Sequence, residues 1–360
     1  KGRDNYLCPR RLNAARRRSP ASVEDIITLA KILVWLLESQ TGDRGEINLR
    51  GPAERTVWQR LSAQDEGCSL KRCEGSMNGT CPFYKARKAA DAAHILIVNH
   101  ALLIADAKTD NQVLPLYNHL IVDEAHHLED AVTWSLTFRL DEPALHRRIG
   151  ALGTTNRGLF GEILKGLKDH IPEKEYKKLS AFIQNVSDAN RVMSMHIQKL
   201  FEGIRQFIIG GQDPRSMDYL TLIRIDNKHR NKSQFAQIQS RWNTLDEFFE
   251  VVSGAMQQLS KALYKFRQHN IPNYADLVDS VDTAAHYLDD IRAQMAKFLL
   301  NPDENIIYWF SLNQGTDSPI IHSAPLHIGP LVEQYLWNEK ESVILTGATL
   351  RTQDQFSHIQ

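Results

Sequence analysis

The chain has 360 residues, of which 42% are apolar and 24% are charged; this excludes a disordered chain and predicts two or three globular units. No apolar run approaches the ~18 residues that cross a bilayer, so a membrane protein is excluded as well. The net charge is zero, but residues 1–90 hold 17 Lys and Arg against 10 Asp and Glu. A basic first quarter favours a polyanionic partner, although a solvated surface explains it equally well.

All four cysteines lie in this first quarter, at Cys8, Cys68, Cys73 and Cys81. So few cysteines in a chain of this length argue against a disulfide framework. The C-x4-C-x7-C spacing, with a fourth Cys 60 residues upstream, differs from the two C-x2-C knuckles of a zinc ribbon. Four thiolates can hold a [4Fe–4S] cluster, one for each iron. From the spacing alone, a cluster, a zinc site and unrelated free thiols all stay open.

Two β-branched runs follow the cysteines, at 94–98 and at His119–Val122. Both predict strands of a parallel sheet that is buried on both faces. The second run ends in Asp123 and Glu124. At the carboxyl end of a strand, an Asp can hold Mg²⁺ and an adjacent Glu can polarise a water that attacks a phosphate. An acidic helix N-terminus is the alternative interpretation of this pair.

The stretch from about 140 to 300 has a helical pattern. Its apolar residues recur at intervals of three and four, which predicts long amphipathic helices packed as a bundle. The clearest stripes are Phe235, Ile238, Trp242, Leu245, Phe249, Val252, Met256, Leu259, Leu263 and Phe266, and then Leu277, Val281, Leu288, Ile291, Met295 and Phe298. The aromatic members could stack on bases, but their spacing is that of a bundle core.

A third strand is predicted at 342–346, before Gly347-Ala348-Thr349-Leu350. The hydroxyls of Thr346 and Thr349 could read the phosphate state of a nucleotide or simply cap a helix. No G-x4-G-K-[ST] stretch occurs anywhere in the sequence. A carboxylate pair without this phosphate cradle cannot turn over ATP, so we expect no ATP hydrolysis by this chain alone.

Six segments occur in an order that resembles the DinG branch of the XPD-like superfamily 2 helicases. They are 1–8, the cysteine segment that ends in Cys81-Pro82-Phe83-Tyr84-Lys85-Ala86-Arg87, Val98–Leu103, Val122–Leu128, Ser323–Leu326 and Leu345–Leu350. The resemblance covers nearly the whole chain, although 140–300 contributes a helical pattern without a motif. The family pattern begins before Lys1 with the phosphate loop and continues past Gln360 into a second motor domain.

The resemblance implies a role for each matched position. Cys8, Cys68, Cys73 and Cys81 would bind a [4Fe–4S] cluster. In the family's DEAH box, Asp123 would coordinate Mg²⁺, Glu124 would activate water and His126 would couple the site to DNA. Thr346 and Thr349 would lie on the nucleotide side, and Gly347 stands where the family usually has Ser, which removes one hydroxyl contact.

The residues that flank the cysteines combine positive charge with stacking faces. We therefore expect DNA contacts from Arg3, Tyr6, Tyr84, Lys85 and Arg87.

The fold class implied by the resemblance is α/β. It consists of a partial RecA-like motor domain with a parallel sheet, a large all-helical arch insertion and an iron–sulfur cluster domain. The predicted ranges are 1–90 for the cluster domain, 91–130 and 318–360 for parts of the first motor domain, and 131–317 for the arch.

The implied function is an ATP-dependent 5′→3′ DNA helicase that translocates on single-stranded DNA. It would unwind forked or structured duplexes in repair or at replication conflicts. We expect ATP and Mg²⁺ as ligands of the whole protein, a cytoplasmic location, a monomer and no membrane partner.

Two interpretations from other classes compete with the helicase. One is a non-catalytic nucleic-acid-binding module with a structural zinc site held by the four cysteines. The other is a helical interaction scaffold in which the Asp-Glu pair lies far from any sheet edge. Within the family, a protein that carries an exonuclease domain is a third possibility, although such members usually lack the cysteines.

Overall fold

The computed structural model describes residues 1–17, 22–63, 68, 73, 79–109, 113–210, 220–313, 317–348 and 350. The chain divides into two compact units. Unit 1 combines Lys1–Ser135 with Ile328–Gln360, and unit 2 is Leu136–His327. Across these described ranges, no helix has both the length and the hydropathy that a membrane span requires.

The helices and strands are as follows in chain order. They are α1 (Pro9–Arg17), α2 (Val23–Trp35), α3 (Gly51–Leu61), α4 (Pro82–Asp91), α5 (His100–Lys108), β1 (His119–Val122), α6 (Leu128–Leu136), β2 (Phe138–Asp141), α7 (Glu142–Gly150), α8 (Gly158–Leu167), α9 (Glu173–Gly210), β3 (Leu220–Arg224), α10 (Asn227–Arg230), α11 (Ser233–Tyr264), α12 (Tyr274–Leu299), β4 (Ile306–Asn313), β5 (Ser318–Pro325), α13 (Gly329–Val332) and β6 (Ser342–Leu345). Short 3₁₀ turns lie at Arg3–Asn5, Arg44–Glu46 and Ala125–His127, and a π-helical turn lies at Glu333–Trp337.

A small apolar core holds the beginning of unit 1 together. Trp58 of α3 is buried, packs edge-on against Trp35 with ring centroids 5.9 Å apart, and donates from its indole N–H to the Asp4 carbonyl at 2.9 Å. A buried Trp needs such an acceptor because an unpaired N–H would lose its bond to water. This core fixes the segment before α1, where the Cys8 N–H donates to the Leu61 carbonyl at 2.8 Å.

Unit 1 also contains the two-stranded parallel sheet formed by β1 and β6. Both strands are in the predicted positions. The predicted burial on both faces is wrong for β1, because Leu120 and Val122 are buried whereas Ile121 is 68% exposed. The strand predicted at 94–98 is also wrong: this segment has no strand pairing, and Ile95 and Ile97 are exposed.

The core of unit 2 is built mainly from three long helices, α9, α11 and α12. The two predicted stripes form the buried faces of α11 and α12, except that Phe266 lies beyond the end of α11 and is only partly buried. Arg292 of α12 donates two hydrogen bonds to the Asp246 carboxylate of α11, at 2.7 and 3.1 Å. Such a paired geometry fixes the register of two neighbouring helices.

The prediction that residues 131–317 are all helical is wrong. Unit 2 contains a four-stranded antiparallel sheet in the order β2-β5-β4-β3. One face of this sheet packs into the helical core through Leu140, Tyr308, Phe310 and Ile321, all of which are buried. Its pairing joins segments far apart in sequence, so no local pattern in one strand predicts it.

Along the sequence, the boundaries between the two units lie at 135/136 and at 327/328. The predicted domain ranges change at 130/131 and at 317/318. The larger difference comes from β5. This strand pairs with β2 on one side and with β4 on the other, so residues 318–325 belong to the sheet of unit 2.

Candidate functional site

The carboxyl ends of β1 and β6 meet at one edge of the parallel sheet, as parallel pairing requires. Val122 is opposite Leu345, the Thr346 N–H donates to the Val122 carbonyl at 2.9 Å, and the Ala125 N–H donates to the Thr346 carbonyl at 2.9 Å. The structure therefore brings the Asp-Glu-Ala-His segment next to the Thr-Gly-Ala segment, although about 220 residues separate them in the chain.

Asp123 and Glu124 turn sharply at this edge. Glu124 adopts a left-handed backbone conformation with φ of 50°, and its N–H donates to Asp123 Oδ1 at 3.0 Å. A non-glycine residue in this region is uncommon and costs on the order of 1 kcal/mol, and such residues cluster at functional sites. Both residues are exposed, so their carboxylate oxygens are accessible to a hard cation such as Mg²⁺.

Two histidines surround the carboxylate pair. His126 places Nδ1 3.3 Å from Glu124 Oε2, and its ring packs against His127 with centroids 4.0 Å apart. His100 contacts the Asp123 carbonyl through Nε2 at 2.9 Å. His100 lies in the Val98–Leu103 segment that carries the resemblance, but no role was predicted for it. It begins α5 directly after the capping residue Asn99, whose Oδ1 accepts from the Leu102 N–H at 3.0 Å.

Gly347 lies against the Asp-Glu-Ala-His turn. A Cβ at this position would be 3.4 Å from the Ala125 nitrogen, the Glu124 Cα and His126 Nδ1. Thr346 is exposed beside it, and Thr349 lies outside the described residues. The structure thus brings together Asp123, Glu124, His126 and Thr346, while no residue pattern for a phosphate cradle occurs in the sequence.

The four cysteine thiols form the second candidate site, also in unit 1. Cys8, Cys73 and Cys81 are buried, and Cys68 is partly buried. Cys73 is hydrogen bonded to both Cys68 and Cys81, and Cys8 lies near enough to Cys81 to interact with its charge. Cysteines separated by up to 73 positions therefore converge on one region of the fold.

Hydrogen bonding among the thiols shifts their pKa values in opposite directions. The hydrogen bond from Cys73, helped by the N–H groups of Tyr84 and Phe83, lowers the pKa of Cys81 to about 6. A hydrogen bond from Cys73 also lowers the pKa of Cys68. The hydrogen bonds that Cys73 makes with Cys68 and Cys81 raise the pKa of Cys73 itself. Burial raises the pKa of Cys8. Cys68 and Cys81 therefore lose their protons more readily than ordinary thiols do.

The thiol set suits iron–sulfur chemistry in its donor type and number, since a [4Fe–4S] cluster takes one thiolate for each iron. Among the described residues, no group of three or more His, Cys, Asp or Glu side chains has the geometry to hold a metal ion. A [4Fe–4S] cluster is a larger body than one metal ion, and each of its four irons takes one thiolate.

The predicted DNA-contact residues lie around this cysteine region. Tyr6 packs against Phe83 with ring centroids 5.8 Å apart, and Lys88 lies over the Tyr84 ring at 5.7 Å. Of the remaining three residues, Arg3 and Lys85 are exposed and Arg87 is partly buried. Cys81 immediately precedes α4, so this short helix carries Tyr84, Lys85 and Arg87 next to the thiols.

Comparison with known proteins places this geometry in context. The DEAD_2 family model matches residues 66–145, which include three of the cysteines and the Asp-Glu-Ala-His segment. The chain is 25% identical to "3'-5' exonuclease DinG" of Bacillus subtilis over 370 residues, covering 99% of this chain and 37% of that protein.

Two further relatives have related names. Identity is 22% over 392 residues with "ATP-dependent DNA helicase DinG" of Salmonella typhimurium, covering 100% of this chain and 50% of that protein. It is 33% over 151 residues with "ATP-dependent helicase DinG" of Mycobacterium tuberculosis, covering 37% of this chain and 22% of that protein. The chain is DinG-like over nearly its whole length, and it spans half or less of the length of these relatives.

Proposed function

We propose that this DinG-like chain is part of an ATP-dependent DNA helicase. It would supply the carboxylates of the motor domain that act on Mg²⁺ and the attacking water, and the four cysteines that bind a [4Fe–4S] cluster. The observation that carries the proposal is the meeting of Asp123 and Glu124 with the Thr346–Ala348 segment at one edge of a parallel sheet. Motors of this class place nucleotide chemistry at that edge. The 5′→3′ polarity and the action on forked DNA rest on the family resemblance.

We propose a task for each residue at this edge. Asp123 would hold Mg²⁺, directly or through water, and Glu124 would orient the water that attacks the terminal phosphate. Bound Mg²⁺ would neutralise the charge that develops on the phosphates. His126 contacts Glu124, and Gly347 lies against both. These contacts support a role in which a change at the carboxylate would reach the 346–348 segment.

The carboxylate assignment is tested in the whole protein by Glu124→Gln, which keeps the shape and removes the charge. We expect ATP hydrolysis stimulated by single-stranded DNA to fall by about 100-fold or more. Glu129→Gln, at an exposed position in the first turn of α6, makes the same charge change outside the site and should leave the rate unchanged. Equal rates for Glu124→Gln and the wild type would refute the helicase proposal.

Because the sequence has no phosphate-binding loop, we propose that this chain alone does not hydrolyse ATP. A phosphate-release assay with single-stranded DNA present should give the background rate. Turnover that Glu124→Gln abolishes would contradict this part of the proposal.

We further propose that Cys8, Cys68, Cys73 and Cys81 bind a [4Fe–4S] cluster. Convergence of all four thiols on one region supports this assignment. Anaerobically prepared protein should contain about four irons and four sulfides per chain and absorb near ~400 nm. Cys73→Ser should lose both the iron and the absorbance, whereas one zinc per chain in place of iron would favour the non-catalytic zinc module.

We propose that single-stranded DNA contacts unit 1 through Arg3, Tyr6, Tyr84, Lys85 and Arg87. The exposed Lys85 and the position of α4 beside the thiols support this surface. Lys85→Ala/Arg87→Ala should weaken binding and reduce its salt dependence. Arg50→Ala/Arg55→Ala, at two exposed positions of the same unit, is the charge-matched control. Unchanged affinity and salt slope in the first variant would contradict this assignment.

The name of the Bacillus subtilis relative makes a nuclease the second candidate. Shortening of a single strand labelled at its 5′ end, in the presence of Mg²⁺ and without ATP, would favour it. A strand that stays intact while the whole protein unwinds a fork with ATP would favour the helicase.

A further inference from the structure

The four-stranded sheet of unit 2 carries a row of cationic and aromatic residues on its outer face. Arg139 of β2 is directly opposite His322 of β5, His322 is opposite Trp309 of β4, and Trp309 is opposite Arg224 of β3. Residues directly opposite one another in antiparallel strands point to the same face. The row therefore crosses all four strands, over about 14 Å at the usual strand spacing.

This row points away from the helical core. The neighbours along each strand, such as Leu140, Ile321 and Phe310, are buried in that core, and side chains alternate between the faces of a sheet. Arg139 and Arg224 are exposed at the two ends of the row, and Trp309 and His322 are partly exposed between them.

The two rings at the centre form a rigid aromatic pair. Their planes differ by 1° and their centroids are 4.9 Å apart. The Ser311 hydroxyl lies 2.8 Å from His322 Nε2 and fixes the plane of the imidazole. Burial, helped by the charge of Arg139, lowers the pKa of His322 to about 4, so the ring is neutral at neutral pH. The centre is thus uncharged and aromatic, while the ends are positive.

The positive region continues past the β3 end of the row. A cavity of about 280 Å³ lies there, lined by Arg224, His229, Lys232, Asp226 and the apolar Phe207 and Leu222. The Asp226 carboxylate accepts from the His229 N–H at 3.0 Å and lies 2.7 Å from His229 Nδ1, so it is already engaged. Lys232 is exposed at the rim.

We propose that the outer face of this sheet binds single-stranded DNA, with phosphates at Arg139, Arg224 and Lys232 and bases against the Trp309–His322 pair. The proposal rests on the proposed function and adds to it a DNA surface in unit 2. Charge complementarity identifies the partner as a polyanion. The aromatic pair identifies an unpaired strand, because bases must leave a duplex before they can stack on a side chain. A row that only stabilises the sheet through cross-strand contacts is the competing explanation.

Fluorescence anisotropy with the 360-residue chain and a labelled oligo-dT tests the phosphate contacts. Binding to a single strand weakens as salt rises, and the slope of log K against log salt concentration reports the number of phosphate contacts. Two lost contacts should reduce the magnitude of this slope by about 1.4, which corresponds to about 25-fold weaker binding at 0.1 M salt. Arg139→Gln/Arg224→Gln should show this loss. Lys177→Gln/Arg191→Gln, which removes two exposed cations from α9 of the same unit, should match the wild type. If the first variant keeps the wild-type slope, the proposal is overturned.

A second pair of probes tests the stacking. Trp309→Ala should weaken binding to oligo-dT at least about fivefold and leave binding to an abasic oligonucleotide of the same length unchanged. Trp309→Phe keeps an aromatic face and should restore most of the affinity. If Trp309→Ala lowers the affinity for both oligonucleotides equally, the stacking role is overturned. Such a result is what a misfolded sheet would give, since the loss would not depend on the bases.

The outcomes separate this proposal from the proposed function. If Lys85→Ala/Arg87→Ala weakens DNA binding while Arg139→Gln/Arg224→Gln does not, the sheet surface is wrong and the helicase assignment stands. If the chain binds no single-stranded DNA under any of these conditions, both proposed DNA surfaces fail, and the ATP hydrolysis of Glu124→Gln in the whole protein still decides the helicase assignment.

Discussion

At the scale of single residues, the carboxylate edge depends on short contacts between segments that the sequence separates widely. His100 holds the Asp123 carbonyl, and His126 approaches the Glu124 carboxylate. These contacts surround a turn whose left-handed Glu124 stores local strain. The turn is therefore kept in place by its neighbours rather than by its own backbone preference.

The close approach of Gly347 to this turn predicts how large a side chain position 347 can accept. Its Cβ position is 3.4 Å from three atoms of the turn, so Gly347→Ala or Gly347→Ser should fit with a small adjustment and cost less than about 1 kcal/mol. Gly347→Val adds branches that the turn cannot accommodate and should cost about 1–3 kcal/mol. Urea unfolding of the three variants measures this order, and equal stability of the Val and Ala variants would show that the contact is not tight.

His322 gives a prediction about pH. Its pKa is about 4 in the folded chain because of burial and the nearby Arg139, against about 6.5 in an unfolded chain. As the pH falls, the unfolded state takes up the proton first, so the contribution of this neutral ring to stability is complete above about pH 6.5 and is lost between about 6.5 and 4. We expect a loss of about 1–2 kcal/mol, since partial exposure screens the effect.

The measurement compares urea unfolding of the wild type with that of His322→Gln at pH 7 and pH 4.5. Gln cannot titrate, so the stability difference between the two proteins should shrink by the expected amount at the lower pH. A difference that stays constant with pH would show that His322 titrates normally in the folded state.

At the scale of elements, stability of unit 2 should depend strongly on which face of a helix is changed. Leu245 of α11 is fully buried, whereas Val251 of the same helix is 58% exposed. Leu245→Ala leaves a cavity and should cost about 2–5 kcal/mol. Val251→Ala should change the free energy of unfolding by no more than about 0.5 kcal/mol. Thermal or urea unfolding separates the two, and similar losses would mean that α11 packs through a different face.

The helices of unit 2 could be predicted from sequence because each stripe is a local pattern with a period near 3.6. The four-stranded sheet could not. In β4 the outer face carries Ile307 and Trp309 while the inner face carries Tyr308 and Phe310, so apolar and polar residues do not alternate. The pairing of β3 and β2 with the 306–325 hairpin joins residues more than 80 positions apart, which no window along the chain detects.

The strand predicted at 94–98 shows the opposite error. Its residues favour a strand, yet a strand exists only where a neighbour completes its hydrogen bonds. In the described part of unit 1 the sheet consists of β1 and β6, and 94–98 lies outside it. The candidate carboxylate edge was predictable because a short motif specifies it, whereas the left-handed turn and the contact with His100 depend on the folded chain.

At the scale of the whole molecule, all four cysteines belong to unit 1, and each unit has a hydrophobic core of its own. Unit 2 should therefore fold without the proposed cluster, while unit 1 should depend on it. Binding energy at a structural metal site is folding energy for the region that holds it.

Removal of iron should accordingly affect one unfolding transition and leave the other in place. Calorimetry of the anaerobic chain should show separate transitions for the two units, and oxidation followed by chelation should lower that of unit 1 by about 5 °C or more, since each kcal/mol corresponds to about 2–4 °C for domains of this size. Cys73→Ser should reproduce the shift without chelation, and Leu245→Ala should move only the other transition. If iron removal lowers both transitions equally, the units do not unfold independently. If it lowers neither, the four thiols do not hold a cluster that stabilises unit 1.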